Sequence, residues 1–147
     1  MSRKAVTTVK RAVFQPGHEV RLLQGTREFF PALIADMDAA KECIQFETYI
    51  FDCTASGEDI ALALIRAARR GVAVRLAVDG FGTGQIPKTW RDQFEAAGVQ
   101  LQVFSAVSQW ALLLPKHWRR LHRKLCVVDD EVMFCGGINV LDDYYDP

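Results

Sequence analysis

The residues of this chain best placed to do chemistry lie between Leu121 and Asn139, in the stretch LHRKLCVVDDEVMFCGGIN. His122 and Lys124 are two positions apart. In an extended strand they point the same way, about 7 Å from each other along it. The chain then runs through apolar residues to Asp129 and returns through a second apolar run to Gly136, Gly137 and Asn139. HRKLCVV reads as a strand, DDE as a tight turn and VMFCGG as the returning strand, a β-hairpin. With the turn centred near Asp130, antiparallel pairing sets residues 122–124 opposite roughly 136–138. Glycine has no side chain, so the face beside the imidazole and the ammonium is left open for a bulky group. Asn139 adds an amide donor. Imidazole, fixed cation, amide and bare backbone together make a receptor for a tetrahedral anion. Lysine serves phosphate as a point charge, and a histidine beside it can attack phosphorus or shuttle a proton. Taken alone, a His-x-Lys pair is more often an exposed polar edge, and an aspartate in a turn is usually only a turn residue. The full spacing, H-x-K-x4-D-x6-G-G-x-N, is much harder to meet by chance.

The elements that must position this hairpin lie upstream. EVRLLQ (19–24) alternates and reads as a strand. Thr26 can cap a helix through about Glu42, with Phe29, Phe30, Leu33, Ile34, Met37 and Ala40 on one face. CIQFETYIF (43–51) is rich in β-branched and aromatic residues, hence a strand. EDIALALIRAARR (58–70) is a helix with acid at its start, arginine at its end and Gly71 as its stop. VAVRLAVD (72–79) is a near-continuous apolar strand, GFGTGQIP (80–87) a loop, KTWRDQFEAA (88–97) a helix stopped by Gly98, and VQLQVF (99–104) a strand. Strands alternating with helices imply right-handed crossovers, hence an α/β fold with a mainly parallel sheet that the hairpin makes mixed.

The composition bounds what this fold serves. The 147 residues suit one domain with a real core, and no linker divides them. Eighteen Lys plus Arg balance eighteen Asp plus Glu, so the net charge gives no global argument for nucleic acid. Cys43, Cys53, Cys126 and Cys135 form no C-x-x-C pair and sit in or beside apolar runs, as reduced, buried cysteines do. No stretch approaches the roughly 20 apolar residues that span a bilayer. The N-terminus is basic without an apolar core, so it reads as an extension and not a signal peptide. Residues 105–121, SAVSQWALLLPKHWRRL, join an apolar tip from Trp110 to Leu114 to a basic run. Trp and Leu beside cations suit a membrane interface carrying anionic head groups, so residues 110–120 are the expected peripheral contact.

The hairpin spacing is also a known signature. His122, Lys124 and Asp129 resemble the HKD motif of the phospholipase D superfamily, and the G-G-x-N that follows is similar too. ETYIFD (47–52), ALIRAARRGVAVRLAVDGFGTG (63–84) and LHRKLCVVD (121–129) look like the corresponding segments of bacterial cardiolipin synthases, the B-type in particular. The resemblance runs from about residue 19 onward, which makes 1–18 an extension and 19–147 one HKD half of a phospholipase D-like domain. It implies a central mixed sheet flanked by helices, and phosphodiester transfer in two steps without a metal or other cofactor. By resemblance His122 is the nucleophile or the acid/base partner of another histidine. Lys124 neutralises phosphate oxygens, and Asn139, with Gly136 and Gly137 beside it, binds the same group. Asp129 completes the catalytic motif, and its place at the turn suggests an orienting role. The implied partner is an anionic phospholipid, phosphatidylglycerol, met at the cytoplasmic side of a bacterial inner membrane; nucleic acid is not expected.

The implied chemistry wants two imidazoles, and one HKD motif is present. His18 reads as a turn residue and His117 as part of the basic surface; neither has a lysine two positions later. A second half is therefore expected, from sequence beyond DDYYDP or from a dimer mate, as in single-motif nucleases of the superfamily. Two further positions stand out. Glu47, in so apolar a strand, needs a partner, an arginine before an imidazole. Asp79 ends a strand, where open α/β sheets place their sites. GFGTG beside it lacks a P-loop lysine and reads as a plain flexible loop.

Overall fold

A computed structural model of the chain describes residues 16–104 and 121–141. Along these residues run α1 (Gly25–Ala39), β1 (Cys43–Thr48), α2 (Ser56–Arg69), β2 (Ala73–Asp79), α3 (Lys88–Ala97), β3 (Gln100–Phe104), β4 (Leu125–Val128) and β5 (Val132–Cys135). The strands form one sheet in the order β3-β2-β1-β4-β5. β1, β2 and β3 are parallel, with Ile44 opposite Val74 and Leu76 opposite Leu101. β4 runs antiparallel to β1, and β5 to β4. The expected mixed α/β sheet is present: two strand–helix–strand crossovers build the parallel half and the hairpin adds the antiparallel half.

The core lies between one sheet face and a row of helices. β1 buries Ile44, Phe46 and Thr48, and β2 buries Val74, Leu76 and Val78, the period-2 signature of a strand covered on that side. Facing them are Leu33 and Met37 of α1, Ile60, Leu64 and Ile65 of α2, and Phe94 of α3. Each such side chain contributes about 1.5–3 kcal/mol by leaving water. Aromatic contacts mark the ends of the row: Phe29 of α1 meets Phe134 of β5 edge-on at 5.7 Å, and Phe94 meets Phe51 at 6.4 Å. The Arg66 guanidinium grips Asp38 through two hydrogen bonds of 2.9 and 2.8 Å, fastening α2 to α1. None of these helices is long and apolar enough to cross a membrane.

Four expectations need correction. Residues 19–24 form no strand; Val20 and Leu22 are 91% and 83% exposed, and alternation alone cannot supply a neighbour to pair with. The helix expected to run from a Thr26 cap to Glu42 begins instead at Gly25, with Gln24 at its N-cap, and stops at Ala39, where Arg70 donates to the carbonyls of Met37 and Ala40 at 2.9 and 3.4 Å. The strand expected over 43–51 ends at Thr48, because the chain bends at Tyr49; Phe51 keeps only an isolated parallel bridge to Val140. The hairpin strands are shorter than expected at the glycine end, although the Gly136 N–H still donates to the Lys124 carbonyl at 3.3 Å. The helix stops at Gly71 and Gly98 hold, at φ of 95° and 90° where L-residues are strained. His117 and the membrane-facing tip expected over 110–120 lie outside the described residues, as does the tail after Leu141.

Candidate active site

The parallel strands end on the same side of the sheet from which β4 begins. Tyr49 therefore follows β1, Asp79 closes β2, and His122 to Lys124 lead into β4 within one neighbourhood. The His122 imidazole stacks on the Tyr49 ring, with centroids 4.5 Å apart and planes at 30°. The Lys124 ammonium sits 5.4 Å from the centre of the same ring. The two polar groups of the motif thus meet on a single aromatic side chain, each contact worth about 0.5–1 kcal/mol at an exposed position. The β4–β5 register places Lys124 opposite Gly136, as the sequence pattern predicts. A side chain added at Gly136 or Gly137 would meet nothing within 4 Å, so the floor beside Lys124 is open. Asn139 follows, half-buried, its Oδ1 accepting from the Ile50 N–H at 3.3 Å. Val140 laces the same segment to 50–52, donating to the Ile50 carbonyl at 3.1 Å and accepting from the Asp52 N–H at 2.8 Å.

The 80–84 loop is not the plain flexible loop expected. Asp79 is fully buried and accepts three backbone hydrogen bonds. Its Oδ1 takes the N–H groups of Phe81 and Gly82 at 2.9 and 3.1 Å, and its Oδ2 takes that of Leu121 at 2.9 Å. One carboxylate therefore ties the loop to the residue just before His122. Because the N–H groups of Phe81 and Gly82 are spent on Asp79, they do not form a phosphate cradle. Thr83 fastens the other side: its hydroxyl donates to the Tyr49 carbonyl and accepts from the Phe51 N–H, both at 3.1 Å. At Gly82 a Cβ would fall 2.5 Å from the Tyr49 carbonyl oxygen and 2.8 Å from its ring carbon Cζ, so the loop approaches Tyr49 as closely as only glycine allows.

Asp129 is not brought together with His122 and Lys124. It sits at the opposite end of β4, in the turn, at φ 53°. Its carboxylate accepts from the backbone N–H groups of Lys41 (2.8 Å), Glu42 (2.8 Å) and Cys43 (2.9 Å), where the chain enters β1. Those bonds, from Lys41 first and then Cys43 and Glu42, hold its carboxyl below the usual carboxylate range. A surface groove of about 480 Å³ lies at this same end, lined by Asp36, Glu42, Asp129 and Glu131 with Lys41, a lining ill suited to phosphate. Glu47 has the arginine partner expected of it: Arg123 lies 3.4 Å away, an exposed pair worth about 0–1 kcal/mol. His18 is exposed in the segment before α1.

Sequence reasoning passed over Tyr49, Gly82 and Thr83. A signal existed for the first: an aromatic residue at the exit of a parallel strand, where sites gather. The contacts of Gly82 and Thr83 join segments more than thirty residues apart and leave no local trace.

Comparison with known proteins places this geometry in a family. The profile described as "Cardiolipin synthase, PLD-like domain" matches residues 33–146. Cardiolipin synthase B of Salmonella typhi is 31% identical over 126 residues, and that of Escherichia coli (strain K12) 29%; the match takes in 86% of this chain and 30% of each synthase. Cardiolipin synthase 1 of Bacillus anthracis is 32% identical over 124 residues, 84% of this chain and 24% of that protein. The chain thus spans less than a third of the length of these relatives. Among solved structures, NucT from Helicobacter pylori superposes with a TM-score of 0.61 at 20% identity, over 80% of this chain and 70% of NucT. The phospholipase D family member Nuc from Salmonella typhimurium gives 0.56 at 25% identity, over 76% and 64%.

Proposed function

Because this chain belongs to the cardiolipin synthase, PLD-like domain family, we propose that it carries one half of the phosphodiester-transfer site of a phosphatidyltransferase of the cardiolipin synthase type. The observation that supports this reading most directly is the meeting of His122 and Lys124 on one ring beside the bare Gly136 and Gly137. In the proposed first step an imidazole nitrogen of His122 attacks the phosphorus of phosphatidylglycerol. A P–N bond forms as the P–O bond to glycerol breaks, and the leaving alkoxide takes a proton. In the second step the hydroxyl of another phosphatidylglycerol gives up a proton and attacks the phosphohistidine, releasing cardiolipin and restoring the imidazole. Lys124 offsets the charge growing on the phosphoryl oxygens, and the Asn139 amide donates to the same oxygens. Gly136 and Gly137 leave room for the diester, and Asp129 braces the hairpin from its turn. The proton steps call for a second imidazole from a matching half, in the same polypeptide or in a second copy. No metal or other cofactor enters this scheme. The protein would work peripherally at the cytoplasmic face of a bacterial inner membrane, with residues 110–120 meeting anionic lipid.

The test is conversion of labelled phosphatidylglycerol to cardiolipin and free glycerol. His122→Ala is expected to lower it by at least about a hundredfold. A His122→Ala protein as active as the parent would overturn the reading. A second reading, a nuclease that pairs one motif from each of two copies, draws support from the fold this chain shares with the phospholipase D family member Nuc at 25% identity. DNA cleavage in EDTA by the chain alone, without lipid turnover, would favour it.

A further inference from the structure

Tyr49 differs from the other aromatic side chains of the fold. Phe46, Phe51 and Phe94 form a chain of ring contacts with one another in the core, and Phe29 pairs with Phe30 and Phe134. Tyr49 is half-buried, and the ring contacts it makes among the described residues are with His122 and Lys124, both polar and both in the motif. The seat beneath it is specific. Thr83 fixes its carbonyl, Gly82 makes room for its Cζ edge, and Asp79 holds Gly82 and Leu121 with one carboxylate. A tyrosine needed only for packing requires no such link to the residue preceding His122.

We infer that Tyr49 is the positioning residue of the phosphate site, its ring holding the imidazole of His122 and the ammonium of Lys124 in the arrangement that a tetrahedral phosphate requires. His122 is exposed, and both side chains would otherwise sample several rotamers. Stacking fixes the imidazole plane, and the electron-rich ring face attracts the ammonium. Both groups then wait near the geometry of attack, and the ordering cost is met in the folded protein before substrate arrives. The aromatic face does this work and the hydroxyl does not. The inference rests on the phosphodiester reading of His122 and Lys124.

The experiment uses the chain itself, with inorganic phosphate as probe and the His122 ring protons followed by NMR. In the parent these protons are displaced upfield by the Tyr49 ring current, and they shift again as phosphate binds. Tyr49→Phe keeps both effects. Tyr49→Leu and Tyr49→Gln, the second suited to a half-exposed position, lose the upfield displacement and bind phosphate roughly tenfold more weakly while their urea midpoints show them folded. In a lipid-converting preparation the same two variants lower kcat/KM by at least the same factor, and Tyr49→Phe restores it. Folded Leu or Gln variants that bind phosphate as the parent does would overturn the inference and leave the phosphate site standing. So would parent His122 protons with no upfield displacement, whatever the variants do. A displaced His122 in the parent that ignores phosphate at every concentration would instead overturn the phosphodiester reading, and the inference with it.

Discussion

Replacing Asp79 by asparagine exchanges one oxygen for an amide nitrogen and tests whether a single buried carboxylate holds the site together. In the parent, Oδ1 accepts from Phe81 and Gly82 and Oδ2 from Leu121, all within 3.1 Å. Asparagine oriented to keep the first two bonds sets its NH2 group against the Leu121 N–H, donor facing donor. The reverse orientation sets it against two donors and is worse. One hydrogen bond to a charged acceptor is therefore lost, a part-buried N–H is left without a partner, and two bonds weaken from charge-assisted to neutral. The sum is about 2–4 kcal/mol, a large share of the 5–15 kcal/mol that stabilises a typical domain. Asp79→Ala removes all three bonds and costs more, about 3–5 kcal/mol. Urea unfolding followed by circular dichroism measures the loss, and amide exchange at Leu121 locates it. The Asn variant should exchange Leu121 faster than Phe81. It should also lose the proposed phosphatidyl transfer at temperatures where it is still folded, because His122 follows Leu121 directly. A loss below about 0.5 kcal/mol, the range of an ordinary surface change, with Leu121 exchange unaltered would refute the reasoning.

Three other outcomes follow from single features. Asp129→Asn should lower the urea midpoint at neutral pH; since the folded carboxyl titrates below its ordinary 3.8, the parent's advantage is full above that value and should shrink as pH falls through the depressed one. Burial first, with nearby acids adding, pushes the Cys126 thiol up to about 12 and the Cys53 thiol to about 11, whereas Cys135 is exposed; timed thiol labelling at pH 8 should modify Cys135 first and spare the other two until urea unfolds the chain. Gly57→Ala should destabilise by about 1–3 kcal/mol in the same urea assay, because its methyl would overlap the Asp52 carbonyl oxygen at the start of α2.

Much of this was legible in the sequence where structure is local. α3 keeps the bounds that its flanking glycine predicts, and the hairpin register follows from the two-aspartate turn: the Glu131 N–H bonds the Val128 carbonyl at 3.0 Å, and Asp129 and Asp130 take positive φ, which short polar side chains tolerate. The His122, Lys124 and Gly136 cluster was readable for the same reason, since a hairpin is a local object. The failures are non-local. EVRLLQ has the pattern of a strand without a neighbour to complete it. GFGTG looks like a loop free to move, yet Asp79, Thr83 and the packing of Gly82 on Tyr49, too close to admit a side chain, fix it through contacts the sequence does not announce. Asp129 is legible as a turn residue a strand's length from His122, but the Lys41, Glu42 and Cys43 N–H groups it holds lie more than eighty residues away and leave no local trace.

In the proposed mechanism the imidazole of His122 takes the phosphatidyl group from the donor lipid. Quenching the protein in alkali during turnover of phosphatidylglycerol, then locating the acid-labile adduct by mass spectrometry, tests this most directly. The peptide containing His122 is expected to carry a phosphatidyl mass, or the glycerophosphoryl mass left when alkali strips the acyl chains, in the parent and neither in Lys124→Ala, where the oxygens go uncompensated. Turnover with the adduct on another residue, or with no adduct under conditions that trap a known phosphohistidine, would contradict it.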